Sequence, residues 1–146
     1  MTFSALPQWF IWAFAAAVFA ALTAIFAKMG LKNIDSDYAT FIRTVVILFA
    51  LVAFLTYTGK WQDPATLSHK NWIFLVLSGL ATGASWLAYF KALQMGNATQ
   101  VAPVDKFSVV LTTVFAVVFL DERPTAREWL GVALISAGVL VLAFKR

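Results

Sequence analysis

The sequence has no cysteine and few charged residues. Without cysteine the chain forms no disulfide, holds no metal through thiolates and uses no thiol nucleophile. Charged residues make up 12% of the chain, whereas they make up about a quarter of a soluble domain. Hydrophobic residues make up 62%, which is more than the core of a soluble domain absorbs. The composition therefore indicates an integral membrane protein that has the lipid bilayer as a partner.

The common motifs of enzymes are also absent. The sequence contains no His-Glu-x-x-His, no Gly-x-Ser-x-Gly, no phosphate-binding glycine loop and no cluster of metal ligands. We therefore expect a protein that is not an enzyme and that has no catalytic residue, no bound metal and no cofactor. The formal net charge of +4 suits loops that face anionic lipid headgroups, and it does not indicate a nucleic-acid partner.

Five apolar stretches are long enough to cross a membrane, which takes about 20 helical residues. The predicted helices occupy residues 9–27, 38–58, 72–93, 100–120 and 125–144. Local signals mark two of them: Asp35 is a capping candidate for the second helix, which Gly59 ends, and Thr125 with Glu128 matches a capping box before the fifth. The predicted fold is all-α, an integral membrane protein with five transmembrane helices in a single domain, 1–146.

The fourth span carries charge into the membrane. Its apolar run, Phe107 to Leu120, is 14 residues long, which is too short for a crossing of about 20 residues. Counting back from Leu120 therefore places Pro103, Asp105 and Lys106 inside the membrane, where the proline interrupts the backbone ladder. The alternative is that the helix begins at Pro103 and that Asp105 stabilises its first turn.

Three ionisable residues inside the membrane are the first candidates for a solute or coupling site: Arg43, Asp105 and Lys106. If they face one cavity, their charges sum to +1, which favours a carboxylate, a phosphate or a zwitterion as the ligand. Ser108 shares a helical face with Asp105 and extends the polar path. Two interpretations of Arg43 stay open, because its side chain either belongs to this site, where it can pair with Asp105, or snorkels to the headgroups.

Hydroxyl groups and aromatic rings follow the third predicted helix. Ser85, Trp86 and Tyr89 are candidates to line a solute path, and the alternative is that the hydroxyls bond to neighbouring helices. Four glycines mark surfaces on which another helix can pack closely: Gly79, Gly83, Gly131 and Gly138.

Several strings along the chain, taken as a set and in this order, resemble the EamA-type domain of the drug/metabolite transporter superfamily. They are Thr40-Phe-Ile-Arg43-Thr44, Ser78-Gly-Leu-Ala-Thr-Gly83-Ala-Ser-Trp86, Lys91-Ala-Leu-Gln-Met-Gly96, Val101-Ala-Pro103-Val-Asp105-Lys106 and Phe119-Leu-Asp-Glu122-Arg-Pro-Thr125. The resemblance covers almost the whole chain. Most proteins of this kind carry two such domains in opposite orientations, ten helices in all, whereas this sequence carries one and resembles the five-helix bacterial and archaeal branch.

The resemblance implies a transporter, an exporter or exchanger of small organic metabolites, in the cytoplasmic (inner) membrane of a prokaryote. Alternating access rocks one repeat against an inverted partner, so a single domain implies a homodimer, and an antiparallel one restores the inverted symmetry. The alternative function is a scaffold or assembly subunit that transports nothing and whose buried charges pair permanently.

The positive-inside rule gives a nearly balanced count for this chain, as dual insertion requires. Four cations fall on the N-terminal side and five on the other, and Arg43 and Lys106 inside the membrane complete the 11. Counting those two tips the balance to 4 against 7, which favours one fixed orientation. The cations outside the membrane are Lys60, Lys70, Arg123 and Arg127 on the first side, and Lys28, Lys32, Lys91, Lys145 and Arg146 on the second.

Overall fold

The computed structural model describes residues 7–144. The two ends of the predicted domain, 1–6 and 145–146, lie outside the described residues, and with them Lys145 and Arg146 of the charge count. Within 7–144 there is no strand, and the order of elements is α1 Gln8–Gly30, α2 Ser36–Thr58, a 3-10 turn Pro64–Thr66, α3 His69–Met95, α4 Ala98–Asp105, α5 Ser108–Leu120 and α6 Ala126–Ala143.

Five helical segments are long and apolar enough to span a membrane. Four are the single helices α1, α2, α3 and α6, and the fifth, Ala98–Leu120, combines α4 and α5. In each apolar window at most 6% of the residues are buried by the chain itself, so hydrocarbon or another polypeptide must cover the rest. The predicted all-α architecture with five spans is confirmed.

The described chain divides into two compact units. One contains Phe26–Met95, and the other contains the described residues of Met1–Ile25 and Gly96–Arg146. We call them the α2–α3 unit and the α4–α6 unit.

The α2–α3 unit is stabilised by helix caps and by two hydrogen bonds that join α3 to the end of α1 and to the turn after it. Asp35 accepts hydrogen bonds from the amides of Asp37 and Tyr38 and so starts α2, and Gly59 ends it at a φ of 64°, in the left-handed region. Lys28 Nζ donates to the carbonyl of Leu93 at 2.6 Å, and Gln94 Nε2 donates to that of Ile34 at 2.8 Å. The core of the unit includes Leu31, Phe90 and Leu93, which are all buried.

The α4–α6 unit contains the interrupted span. Pro103 lies inside α4, which begins at Ala98 rather than at the proline. Lys106 and Phe107 separate α4 from α5, and the amides of Phe107, Val109 and Val110 bond three residues back, each at 3.0 Å, instead of four. The fourth predicted span is therefore two helices, since Pro103 removes one bond of the ladder and the next turn tightens.

The predicted capping box of the last helix is present. The amide of Thr125 donates to Glu128 Oε2 at 2.6 Å, and the amide of Glu128 donates to Thr125 Oγ1 at 3.4 Å. These two bonds satisfy donors that the first turn of α6 leaves without a helical partner. They fix where the chain enters its last span.

Candidate functional site

Asp105 and Lys106 lie at the interruption between α4 and α5, which we call the helix break. Asp105 is the last residue of α4 and Lys106 is its C-cap. Lys106 Nζ lies 3.2 Å from Asp105 Oδ2, with side chains that are 56% and 35% exposed, respectively. The two charges thus form an ion pair inside a membrane span, and both remain open on one side to a ligand or a neighbouring chain.

A groove of about 480 Å³ lies beside the helix break. Asp105 and Ser108 line it on the α4–α5 side, and Val139 and Leu140 of α6 line it on the other. Its remaining walls are apolar, from Val104, Phe107, Leu111, Ala143 and Phe144. The structure therefore brings Asp105, Lys106 and Ser108 together, and it places a carboxylate and a hydroxyl against an apolar surface.

Arg43 forms a second cluster, in the α2–α3 unit. Its guanidinium Cζ lies 4.0 Å from the centroid of the Trp86 ring and 5.1 Å from that of Phe90. Both distances fall within the range of cation–π attraction. Arg43 Nη1 is screened from solvent, and no atom among residues 7–144 accepts a hydrogen bond from it. We call Arg43, Trp86 and Phe90 the arginine cluster.

The hydroxyl groups near these residues mostly bond to their own helices. Thr40 Oγ1 donates to the carbonyl of Ser36, and Thr44 Oγ1 donates to that of Thr40, both at 2.8 Å. Thr82 Oγ1 donates in the same way to Ser78 at 2.9 Å. Such bonds within a helix satisfy the hydroxyls of Thr40, Thr44 and Thr82 without a partner helix.

Ser85 and Tyr89 differ in their surroundings. Ser85 is exposed, whereas Tyr89 is partly buried and packs edge-on against Phe90, with the ring centroids 6.4 Å apart. Tyr89 thus borders the arginine cluster, and Ser85 lies one residue before Trp86 with its hydroxyl on the surface of the chain.

The predicted packing glycines face open space. A methyl group at Gly79, Gly83, Gly131 or Gly138 meets nothing within 4 Å. Gly131 also lines a second groove of about 560 Å³, with Glu122 and Arg123 at the turn between α5 and α6. Since α3 and α6 leave room at these glycines, their assignment as helix-packing positions stays a prediction that concerns a second chain.

Two residues of these clusters did not follow from the sequence. Phe90 is the second ring of the arginine cluster, and Lys28 joins the last turn of α1 to α3. Trp86 and Phe90 are four residues apart, a spacing that places two rings on one face of a helix, so this signal was present in the sequence. The contact of Lys28 with Leu93 joins residues 65 positions apart, and no local sequence pattern predicts it.

Comparison with known proteins identifies the family. The EamA-like transporter family matches residues 7–144. The chain belongs to this family. The predicted family is thereby confirmed, and this EamA-family protein is a multi-pass membrane protein.

Its relatives carry transporter names. A protein of a Sinorhizobium species named as an uncharacterized transporter in the cobO 3' region is 56% identical over 136 residues, 93% of this chain and 96% of that protein. The uncharacterized transporter YxxF of Bacillus subtilis (strain 168) is 30% identical over 137 residues, 93% of this chain but 42% of that protein. The probable 4-amino-4-deoxy-L-arabinose-phosphoundecaprenol flippase subunit ArnE of Yersinia pestis (strain Pestoides F) is 29% identical over 108 residues, 67% of this chain and 95% of that protein.

No solved structure matches the chain. The names of the relatives point to transport rather than to catalysis, and transport implies a small-molecule substrate and a membrane environment for this EamA-family protein.

Proposed function

We propose that the protein exports or exchanges small organic metabolites by alternating access, as a homodimer in the cytoplasmic membrane of a prokaryote. The observation that carries the proposal is the helix break. Broken helices in a membrane are tolerated where they line a cavity or lie buried in protein, and transporters place their solute sites at such breaks. Here the break holds Asp105 and Lys106 and borders a groove.

The lengths of the relatives support the homodimer. The chain matches 96% of the Sinorhizobium protein but 42% of the Bacillus protein, which leaves room in the longer chain for a second domain of the same size. Since alternating access requires two repeats around one site, a second copy of this chain supplies the other repeat. The open surfaces at Gly79 and Gly83 on α3, and at Gly131 and Gly138 on α6, are where we expect close helix packing.

In this proposal Asp105, Lys106 and Ser108 contact the solute or the coupling ion, and Arg43, Trp86, Tyr89 and Ser85 line its path. Lys106 supplies a positive charge that is more than half exposed. Asp105 is the acidic residue at the break and is therefore the candidate to exchange a proton. The competing function is a scaffold, in which the same ion pair serves only to hold helices together.

The test compares Lys106→Met with Lys91→Met, a matched control because Lys91 is exposed on α3 and remote in sequence from the break. Purified full-length protein is heated in the presence of succinate, inorganic phosphate, glycine or tetraphenylphosphonium, which cover anions, a zwitterion and an apolar cation. Compounds that raise the melting temperature are then assayed for uptake into proteoliposomes.

We expect at least one class of compound to stabilise the wild type and the Lys91→Met variant, and to be taken up by both. Lys106→Met should lose both effects, because it removes the charge that meets the solute. If no compound stabilises any of the three proteins and none is taken up, while Lys106→Met loses its dimeric mass in solution, the scaffold is the correct function.

A further inference from the structure

Within the α2–α3 unit, the arginine cluster has no carboxylate as a counterion. The α2–α3 unit, Phe26–Met95, which the structure describes in full, contains three carboxylates, and none of them pairs with Arg43. Asp35 caps α2, Asp37 lies in the first turn of the same helix and accepts from Ser36 Oγ, and Asp63 caps the 3-10 turn. Arg43 is therefore surrounded within its unit by aromatic side chains, and none of the three carboxylates pairs with it.

The guanidinium lies beside the body of α3 rather than at the end of this helix. It lies nearer to the ring of Trp86 than to that of Phe90, and Trp86 is nine residues before the end of α3 at Met95. Nine residues correspond to about 14 Å along a helix. A snorkelling arginine extends its side chain toward the headgroups, whereas this one lies against a ring in the body of α3.

The guanidinium keeps a hydrogen-bond donor for a ligand. Its Cζ lies over the ring of Trp86, while Nη1 has no acceptor among residues 7–144, and the residue as a whole is only partly buried. A planar carboxylate, or two oxygens of a phosphate, matches two N–H groups of a guanidinium at once.

We propose that Arg43, held beside the rings of Trp86 and Phe90, binds an oxyanion, the carboxylate or phosphate group of the solute that the protein transports. The inference rests on the proposed function for its solute and names that solute's chemical class. It assigns anion recognition to the α2–α3 unit and gives the aromatic rings a positioning role. The same chemistry is offered by the phosphate of a lipid headgroup, and the experiment separates these two sources.

The experiment measures the binding of two soluble anions, succinate and inorganic phosphate, to the full-length protein in a maltoside detergent that contains no phosphate. The variants are Arg43→Gln, which removes the charge, and Arg43→Lys, which keeps the charge but loses the paired N–H groups. The control is Arg127→Gln, because Arg127 is an exposed arginine in the first turn of α6. Tetraethylammonium serves as the cation.

We expect a soluble anion to bind the wild type and Arg127→Gln equally. Arg43→Gln should weaken this binding by about 10- to 100-fold, as the loss of a charge-assisted hydrogen bond implies, and Arg43→Lys should show an intermediate loss. Tetraethylammonium should not compete. If Arg43→Gln does not fold, an intermediate loss of anion binding in Arg43→Lys supports the same conclusion.

Phosphatidylglycerol added to the same micelles tests the lipid source. If it stabilises the wild type but not the Arg43 variants, and the soluble anions do nothing, the oxyanion is a headgroup and the assignment to the solute is overturned. If the wild type and both Arg43 variants bind the anions equally, the oxyanion site is overturned altogether. It is also overturned if the Arg43 substitutions change neither the effect of the soluble anions nor that of the lipid.

The outcome is independent of the proposed transport. If a cation is taken up and its uptake does not require Arg43, the proposed transport is supported and the anion site is overturned. If anion binding requires Arg43 but no compound is taken up, the anion site is supported and the proposed transport is overturned.

Discussion

At the scale of single residues, the arginine cluster and the helix break differ in how they stabilise a cation in a membrane span. A charged side chain at the centre of a membrane helix costs roughly 2.5–3.5 kcal/mol on insertion scales. Lys106 offsets this cost with the carboxylate of Asp105 at 3.2 Å. Arg43 has the faces of Trp86 and Phe90, which contribute about 2 kcal/mol when desolvated. Lys106 thus has a carboxylate partner, whereas Arg43 has aromatic rings and no carboxylate within its own unit.

The capping box of α6 gives a prediction at this scale that concerns stability. Thr125→Ala removes the side-chain acceptor of the Glu128 amide, and the loss of such a cap costs about 1 kcal/mol. Thr112 of α5 is an exposed threonine without a side-chain bond among the described hydrogen bonds, so Thr112→Ala serves as its control. Unfolding by sodium dodecyl sulfate in mixed micelles should show the loss for Thr125→Ala and a change of a few tenths of a kcal/mol at most for Thr112→Ala. Equal effects would contradict the cap.

At the scale of elements, the interrupted span is the feature that separates this chain from five plain helices. Pro103 inside α4 removes the amide that would bond one turn back, and the tightened turn at Lys106 and Phe107 follows. The two charges beside the break are partly exposed. Such a break is expected if it serves transport, since irregular backbone in a membrane has a use where it lines a cavity.

Pro103→Ala tests whether the break serves function. Alanine restores the missing donor, so we expect the free energy of unfolding to rise by about 1–3 kcal/mol, given that proline inside a helix costs about 3 kcal/mol or more. Solute uptake should fall, because a straighter helix carries Asp105 and Lys106 to other positions. The control is Pro124→Ala, since Pro124 precedes α6 and lies in no helix. Spin labels at Thr99→Cys and Thr112→Cys report the straightening. Greater stability with unchanged uptake would show that the break has no role in transport.

Much of the arrangement of elements could be predicted from the sequence because the signals are local. The five spans follow from their length and hydropathy, and the caps at Asp35, Gly59 and Thr125 follow from residue type and position. The split of the fourth span into two helices can be predicted only in part, since a proline predicts an interruption but not the residue at which the next helix begins.

The contacts of the candidate site were harder to predict because they join distant parts of the chain. The sequence identified Arg43 and Trp86 separately, and the stacking of one on the other depends on how α2 packs against α3. Lys28 was missed for the same reason, whereas Phe90 had a local signal in its four-residue spacing from Trp86. The groove beside Asp105 and Ser108 depends on how α6 packs against α4 and α5. The pairing of Arg43 with Asp105 stays a prediction.

At the scale of the whole molecule, the proposed alternating access needs two repeats around one site, and in the proposed homodimer a second copy of this chain supplies the other repeat. The near balance of cations on the two sides, four against five, is what insertion in both orientations requires. An antiparallel homodimer then has two helix breaks and two arginine clusters, one set from each copy. Every copy should expose its break to each side of the membrane in turn if the dimer alternates.

The most direct test of transport by alternating access uses the absence of cysteine. A single cysteine introduced as Ser108→Cys, at the groove beside the break, is exposed in sealed cells to a thiol reagent that does not cross membranes. Leu134→Cys on the exposed apolar surface of α6 is the unreactive control. The account predicts that labelling from the outside alone goes to completion, because each copy opens outward in its turn. Labelling that stops at about half of the copies, as expected of a rigid antiparallel dimer, or no labelling at all, would contradict it.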